Sequence, residues 1–88
     1  MPGIARLYVD TAGGPHIGIG AGSVYANGNP VQVLNGPVAG HGKNEHAAPF
    51  MIIGSGSVYA GGRPVCRLGD SSSCGHTSTG SPNVNAGG

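Results

Sequence analysis

Four residues of this chain, His41, His46, Cys74 and His76, are of metal-binding types and fall into two tight pairs, His-x4-His and Cys-x-His. Three imidazoles and one thiolate suit a tetrahedral Zn2+, which takes nitrogen at about 2.0–2.1 Å and sulfur at about 2.3 Å. Four protein ligands close the shell and leave no position for a reactive water. The single zinc ion expected is therefore structural, and its binding adds to folding free energy.

Other residues compete for roles. His16 lies four residues before Gly20, as His76 lies four before Gly80. A site built on strict repetition would thus use His16 in place of His41 or His46. Glu45, beside His46, is the general base required by the alternative reading, a small zinc-dependent hydrolase. That reading needs one of the four ligands to leave the shell to a water. Cys66 falls inside a predicted strand, where cysteine behaves as a small packing residue, and stays outside the site. Arg6, Asp10, Arg67 and Asp70 sit at strand ends and are assigned to turn hydrogen bonds and surface ion pairs.

The elements that must position these side chains are announced by a repeat. Gly20 to Gly36, GAGSVYANGNPVQVLNG, recurs 34 residues later as Gly54 to Asp70, GSGSVYAGGRPVCRLGD, with ten of seventeen positions identical. A fixed period of this kind marks one supersecondary unit used more than once. Ser23 to Ala26 and Pro30 to Leu34 read as short strands around Asn27-Gly28, a strong two-residue hairpin signal, and the second copy has Gly61-Gly62 there. Pro30 and Pro64 lack a ladder donor and are expected at a strand start or an edge.

Each terminus carries half a unit. Gly3 to Asp10 reads as a short strand resembling the second half, with Ala5-Arg6-Leu7 over Cys66-Arg67-Leu68 and Asp10 over Asp70 after one inserted residue. Gly80 to Gly88 matches Gly54 to Gly62 at six of nine positions. Two halves that join in space complete a third unit, so the predicted fold is an all-β, pseudo-threefold assembly of short hairpins closed by the chain termini, a single domain over residues 1–88. Pro37 to Phe50, the least repetitive segment, holds two of the histidines and is expected to serve something other than packing.

Composition agrees with a small fold that needs a staple. Nineteen glycines, no tryptophan and one phenylalanine in 88 residues leave a thin core, and glycine raises the entropy cost of ordering the chain. A net charge of +1 from seven formally charged side chains argues against a nucleic-acid partner or a charged membrane-binding run. The glycine-rich turns are not followed by Gly-Lys-Ser/Thr, so no phosphate loop is present. The start lacks the apolar run of a signal peptide and no stretch reaches membrane-span length, which places synthesis in a cytoplasm. There two cysteines remain thiols or bind metal.

These residues resemble a known family, the proline-alanine-alanine-arginine (PAAR) repeat proteins. Pro64-Val65-Cys66-Arg67 stands in the place of the namesake tetrapeptide, followed by Leu68-Gly69-Asp70. Asp10-Thr11-Ala12-Gly13-Gly14, the Gly40-His41-Gly42 loop with His46, Cys74-Gly75-His76 and Gly80-Ser81-Pro82-Asn83-Val84 are similar to the same family. The resemblance therefore covers nearly the whole chain. It implies a cone-shaped tip that caps the blunt end of the trimeric β-helical spike of a type VI secretion system or contractile phage tail, sharpening it for membrane piercing. Such a tip is delivered outward on contraction and makes transient contact with a target membrane, with effector proteins carried on other chains. The family's apical zinc, held by three histidines and one cysteine, would fall on His41, His46, His76 and Cys74. Two departures stand out: Val9-Asp10 and Asn35-Gly36 replace the family's Gly-Asp, and Ala12 occupies the place of a histidine often seen before the first Gly-Gly, which keeps His16 open as a ligand.

Overall fold

Paired left-handed residues set the local structure. Asn27 and Gly28 have φ of 53° and 86°, and Gly61 and Gly62 have φ of 59° and 82°. Positive φ at both central positions defines the turn whose twist matches that of two antiparallel strands, and asparagine and glycine adopt it at least cost. A computed structural model describes residues 2–18, 20–21 and 24–86. In it the strands are Thr11–Ala12 (β1), Gly14–Pro15 (β2), Tyr25–Ala26 (β3), Asn29–Pro30 (β4), Tyr59–Ala60 (β5) and Arg63–Pro64 (β6). They form three two-stranded antiparallel hairpins, β1-β2, β3-β4 and β5-β6. Apart from one 3-10 turn, Asn44–His46, the regular structure of the described residues is strand and isolated bridge, so the fold is all-β.

Both repeat hairpins form with the expected turns, but their strands are shorter than the sequence predicts. Ser23 lies outside the described residues. Pro30 and Pro64 end their strands instead of starting them, paired with Tyr25 and Tyr59. Proline has no donor to offer, and at these places its carbonyl is used: Pro30 accepts from the N–H of Leu7 and Pro64 from that of Leu34, at 2.8 and 2.9 Å. Beyond each proline the chain keeps one more bond to its own hairpin, from Val31 or Val65, and also bridges a different unit.

That crossing generates closed sets of three hydrogen bonds. Ala5 N–H donates to Cys66 O, Cys66 N–H to Gln32 O, and Gln32 N–H to Ala5 O, at 2.9, 2.8 and 2.9 Å. A second set links Ile17 to Pro37, Ile52 to Ser71, and Thr79 to Thr11. On the hairpin side, Ile4, Val31 and Val65 each donate to the carbonyl of Val84, Val24 and Val58 respectively. The terminal segments join as the sequence predicts: Gly3 bridges Asn85 antiparallel and Ala86 N–H donates to Pro2 O at 2.9 Å.

The interior is divided. Ile4, Val31, Val33, Val65, Ala26, Ala60 and Ala86 pack together among the hairpins. Ala5, Ala12, Val38, Met51 and Cys66 form a second cluster toward the loops that carry the candidate ligands. Small side chains dominate both, as the composition requires. The remaining interior is polar but satisfied: no described buried side-chain nitrogen or oxygen lacks a hydrogen-bond partner. Arg6 grips Asp10 with two N–H groups at 2.7 and 3.2 Å, and Arg67 grips Asp70 with two at 3.0 Å. Each carboxylate also accepts the backbone N–H of its own arginine. The turn role expected for these four residues is observed, but the pairs are not surface pairs, since both aspartates are nearly buried.

Candidate metal centre

His41, His46, Cys74 and His76 meet. One candidate ligand atom from each lies within 4.8 Å of all the others. His46 Nδ1 is 3.2 Å and Cys74 Sγ 3.6 Å from His41 Nε2. A tetrahedral zinc ion spaces two nitrogen ligands by about 3.3 Å and a nitrogen from a sulfur by about 3.6 Å, given its usual bond lengths. The donor set and these two edges therefore fit a tetrahedral ion. The three imidazole centroids are 5.0, 5.0 and 5.2 Å apart and mutually tilted, which lets three rings converge without stacking.

Each pair is shaped by its own loop. Pro37 bridges Phe50, and Val38 N–H donates to Pro49 O at 2.9 Å, closing the base of the long loop. Within it the 3-10 turn Asn44–His46 folds back so that His41 N–H donates to His46 O at 2.8 Å. Asn44 starts this turn at φ 58°, a value asparagine tolerates better than most residues. In the second loop Ser72 N–H donates to His76 O and Gly75 N–H to Ser72 O, at 2.9 and 3.0 Å. Gly75, at φ 91°, lets the chain turn back between Cys74 and His76.

Orientation comes from neighbours the sequence reading did not select. His41 Nδ1 lies 3.0 Å from the carbonyl of Ala39. An N–H there puts the proton on Nδ1 and leaves Nε2 bare, which is the tautomer a metal needs. The Cys74 sulfur lies 2.9 Å from Ser72 Oγ. Burial pushes the Cys74 thiol up, but hydrogen bonds from Ser72, from the His76 backbone and from His46 bring it below the ordinary thiol value. Thiolate is the ligand form, so these donors favour metal binding.

The first loop gives no ligand and has no room for one. At Gly13, φ is 86° and a Cβ would run into the His76 ring and lie 2.6 Å from His41 Nε2. Gly13 in the β1-β2 turn and Gly14 at the start of β2 pack directly against the cluster. Their only sequence signal is the Gly13-Gly14 pair, which reads as a turn without indicating what the turn approaches.

His16 is not part of the cluster. It is fully buried, with its Nδ1 3.3 Å from Gln32 Nε2 and its Nε2 2.8 Å from Ser78 Oγ. Gln32 can only donate from its amide nitrogen, so His16 accepts at Nδ1 and donates from Nε2 to Ser78, which passes its own hydroxyl to Thr79 O. Burial pulls the imidazole down to about 4, against a smaller opposing pull from Asp10, and it is neutral at pH 7. The spacing that paired His16 with His76 misleads because the connecting segments differ in length. By hydrogen bonding, the counterparts of His16 are Met51 and Ser78: the three carbonyls accept from Tyr8, Asn35 and Gly69 in turn.

Cys66 is buried and its thiol is pushed up to about 12, by desolvation first and then by Asp70, which leaves it a packing residue as expected. Glu45 falls within the 3-10 turn, with its side chain outside the described set. Among the described residues no helix is long and apolar enough to cross a membrane. No family model matches the chain, and no curated protein matches it.

Proposed function

We propose that this chain is a spike-tip protein: a pseudo-threefold cone, pinned near its point by one structural zinc ion on His41, His46, Cys74 and His76, that caps a trimeric β-helical spike. The observation that carries the reading is the closed ring of backbone hydrogen bonds through Ala5, Cys66 and Gln32, with a second three-segment set through Ile17, Ile52 and Thr79. Three non-identical segments of one chain that bond in rings give a monomer a base matched in symmetry to a trimer. The two glycine-turned repeat hairpins, β3-β4 and β5-β6, together with the paired terminal segments offer short edges to which a threefold spike can add strands. Tyr25 and Tyr59, equivalent in the repeat and 57% and 59% exposed, supply apolar contact area on these hairpins.

The zinc ion ties together loops that the small-residue core does not order, and its role on this reading is mechanical: four donors fill the shell and the protein is not an enzyme. A tip of this kind sharpens the spike for membrane piercing and is carried outward from the cytoplasm by a secretion system or phage tail, with effectors on partner chains and no nucleic acid involved. The test is binding to a trimeric β-helical spike, measured by analytical ultracentrifugation. One chain per trimer is expected, with binding lost in the Tyr25→Asp, Tyr59→Asp double variant. A stoichiometry of three per trimer, or no binding, sinks the proposal.

A further inference from the structure

We infer that Ser72 is a positioning residue for the metal centre, whose hydroxyl donates to the Cys74 thiolate when the ion is bound. The inference rests on the metal reading above and extends it to a residue outside the ligand set. Ser72 is 1% exposed, and its Oγ lies between two acceptors, Cys74 Sγ at 2.9 Å and His76 O at 3.2 Å. A hydroxyl has one proton to give. With a protonated thiol, either atom of the Ser72–Cys74 contact can be the donor, and Ser72 can give its proton to His76 O. A metal-bound sulfur carries no proton, so Ser72 Oγ is the only donor left in that contact and its proton must turn to sulfur. His76 O keeps the Ser72 backbone N–H at 2.9 Å in either state, so the turn strands no buried acceptor.

The same residue thus braces both ligands of the Cys-x-His loop, one through its hydroxyl and one through its backbone. Second partners of this kind fix a ligand's geometry and tune the electron density it offers, and their loss costs about 10–100-fold in metal affinity. Ser73, the next residue, provides an internal control. Its Oγ accepts the Phe50 N–H at 3.1 Å, on the neighbouring loop.

The experiment loads the full chain with Co2+ in place of zinc and records its visible and near-ultraviolet spectrum, with zinc affinity measured by competition. Wild type should show tetrahedral ligand-field bands and a sulfur-to-cobalt charge-transfer band. In Ser72→Ala that band should move to longer wavelength, because sulfur loses a hydrogen bond, and zinc affinity should fall about tenfold. Ser73→Ala should leave the band in place, and Ser72→Thr, which keeps the hydroxyl, should hold it at the wild-type position. An unmoved band in Ser72→Ala, or an equal shift in Ser73→Ala, overturns the inference while leaving the metal site standing. If Ser72→Ala does not fold, Ser72→Thr carries the test, since a red-shifted band with the hydroxyl retained removes the hydroxyl as the cause. Wild type without a tetrahedral cobalt spectrum overturns the metal reading itself.

Discussion

Gln32 does for its copy of the repeat what an aspartate does in the others, and Gly36 is what lets it. Gln32 Oε1 accepts the N–H of Val33 at 3.1 Å, where Asp10 and Asp70 accept the N–H of Arg6 and Arg67 at 2.9 and 2.8 Å. Gly36 occupies the position of those aspartates, and a Cβ on it would run into Gln32 Oε1. One copy therefore lacks both the arginine and the aspartate yet leaves no donor unpaired, because a side chain from the neighbouring position fills the gap.

The two residues should behave as a coupled pair. Gly36→Asp alone overpacks the site and is expected to cost about 1–3 kcal/mol in denaturant unfolding. Adding Gln32→Cys, the residue of the second copy, relieves the overlap but also removes the donor to His16 Nδ1, so the double variant should lose less than the sum of the two single changes. Strict additivity of the two changes would show that the contact is not what separates the copies.

The metal should be part of the fold. Chelation is expected to lower the melting temperature, and Cys74→Ser should lower zinc content and melting temperature together. X-ray absorption should report three nitrogens at about 2.0–2.1 Å and one sulfur at about 2.3 Å. A bound exchangeable water in that shell would favour the hydrolase reading, with Glu45 as its base.

Gly13 should be intolerant for two separable reasons. Gly13→Ala places a methyl against His76 and His41 and also strains a residue at φ 86°, so it should lower both stability and metal affinity. Gly62 has a similar φ of 82° with nothing near its missing Cβ. Gly62→Ala should cost about 1 kcal/mol and leave metal affinity unchanged. Equal effects on affinity would mean that Gly13 matters only for its backbone.

His16 should stay neutral far below the usual imidazole range. Its folded value near 4 lies below the value of about 6.5 for an exposed histidine, so the unfolded chain binds a proton first as pH falls. Its contribution to stability is complete above about pH 6.5 and is lost as pH drops toward 4, by on the order of 3 kcal/mol. Nitrogen chemical shifts of His16 should show the Nε2–H tautomer at pH 5, whereas a charged ring at that pH would contradict the buried Gln32-His16-Ser78 chain.

Much of the local structure was legible because it depends on backbone chemistry. Asn27-Gly28 and Gly61-Gly62 announce turns needing two positive φ values, and the four candidate ligands announce themselves by type and tight spacing. The 34-residue repeat and its terminal halves predicted pairing between the two ends of the chain, and Gly3 and Asn85 do pair. What the residue string indicated, then, was the two repeat hairpins, each pair of candidate ligands and the joining of the termini, whereas the β1-β2 hairpin stood there only as a glycine-rich turn.

Tertiary structure decided the choice between His16 and the paired histidines. His16 and His76 sit at the same distance from matching glycines, and only the hydrogen-bond rings reveal that the equivalent of His16 is Ser78, because the segments after them differ in length. Burial then gave His16 two polar partners and removed it from metal chemistry. The supporting roles of Ser72, Ala39 and Gly13 were likewise invisible, since a hydroxyl, a carbonyl and a missing side chain acquire meaning only from what lies within 3 Å of them. Local conformation follows from residue type. Which distant segments share a hydrogen bond follows from where the folded chain returns.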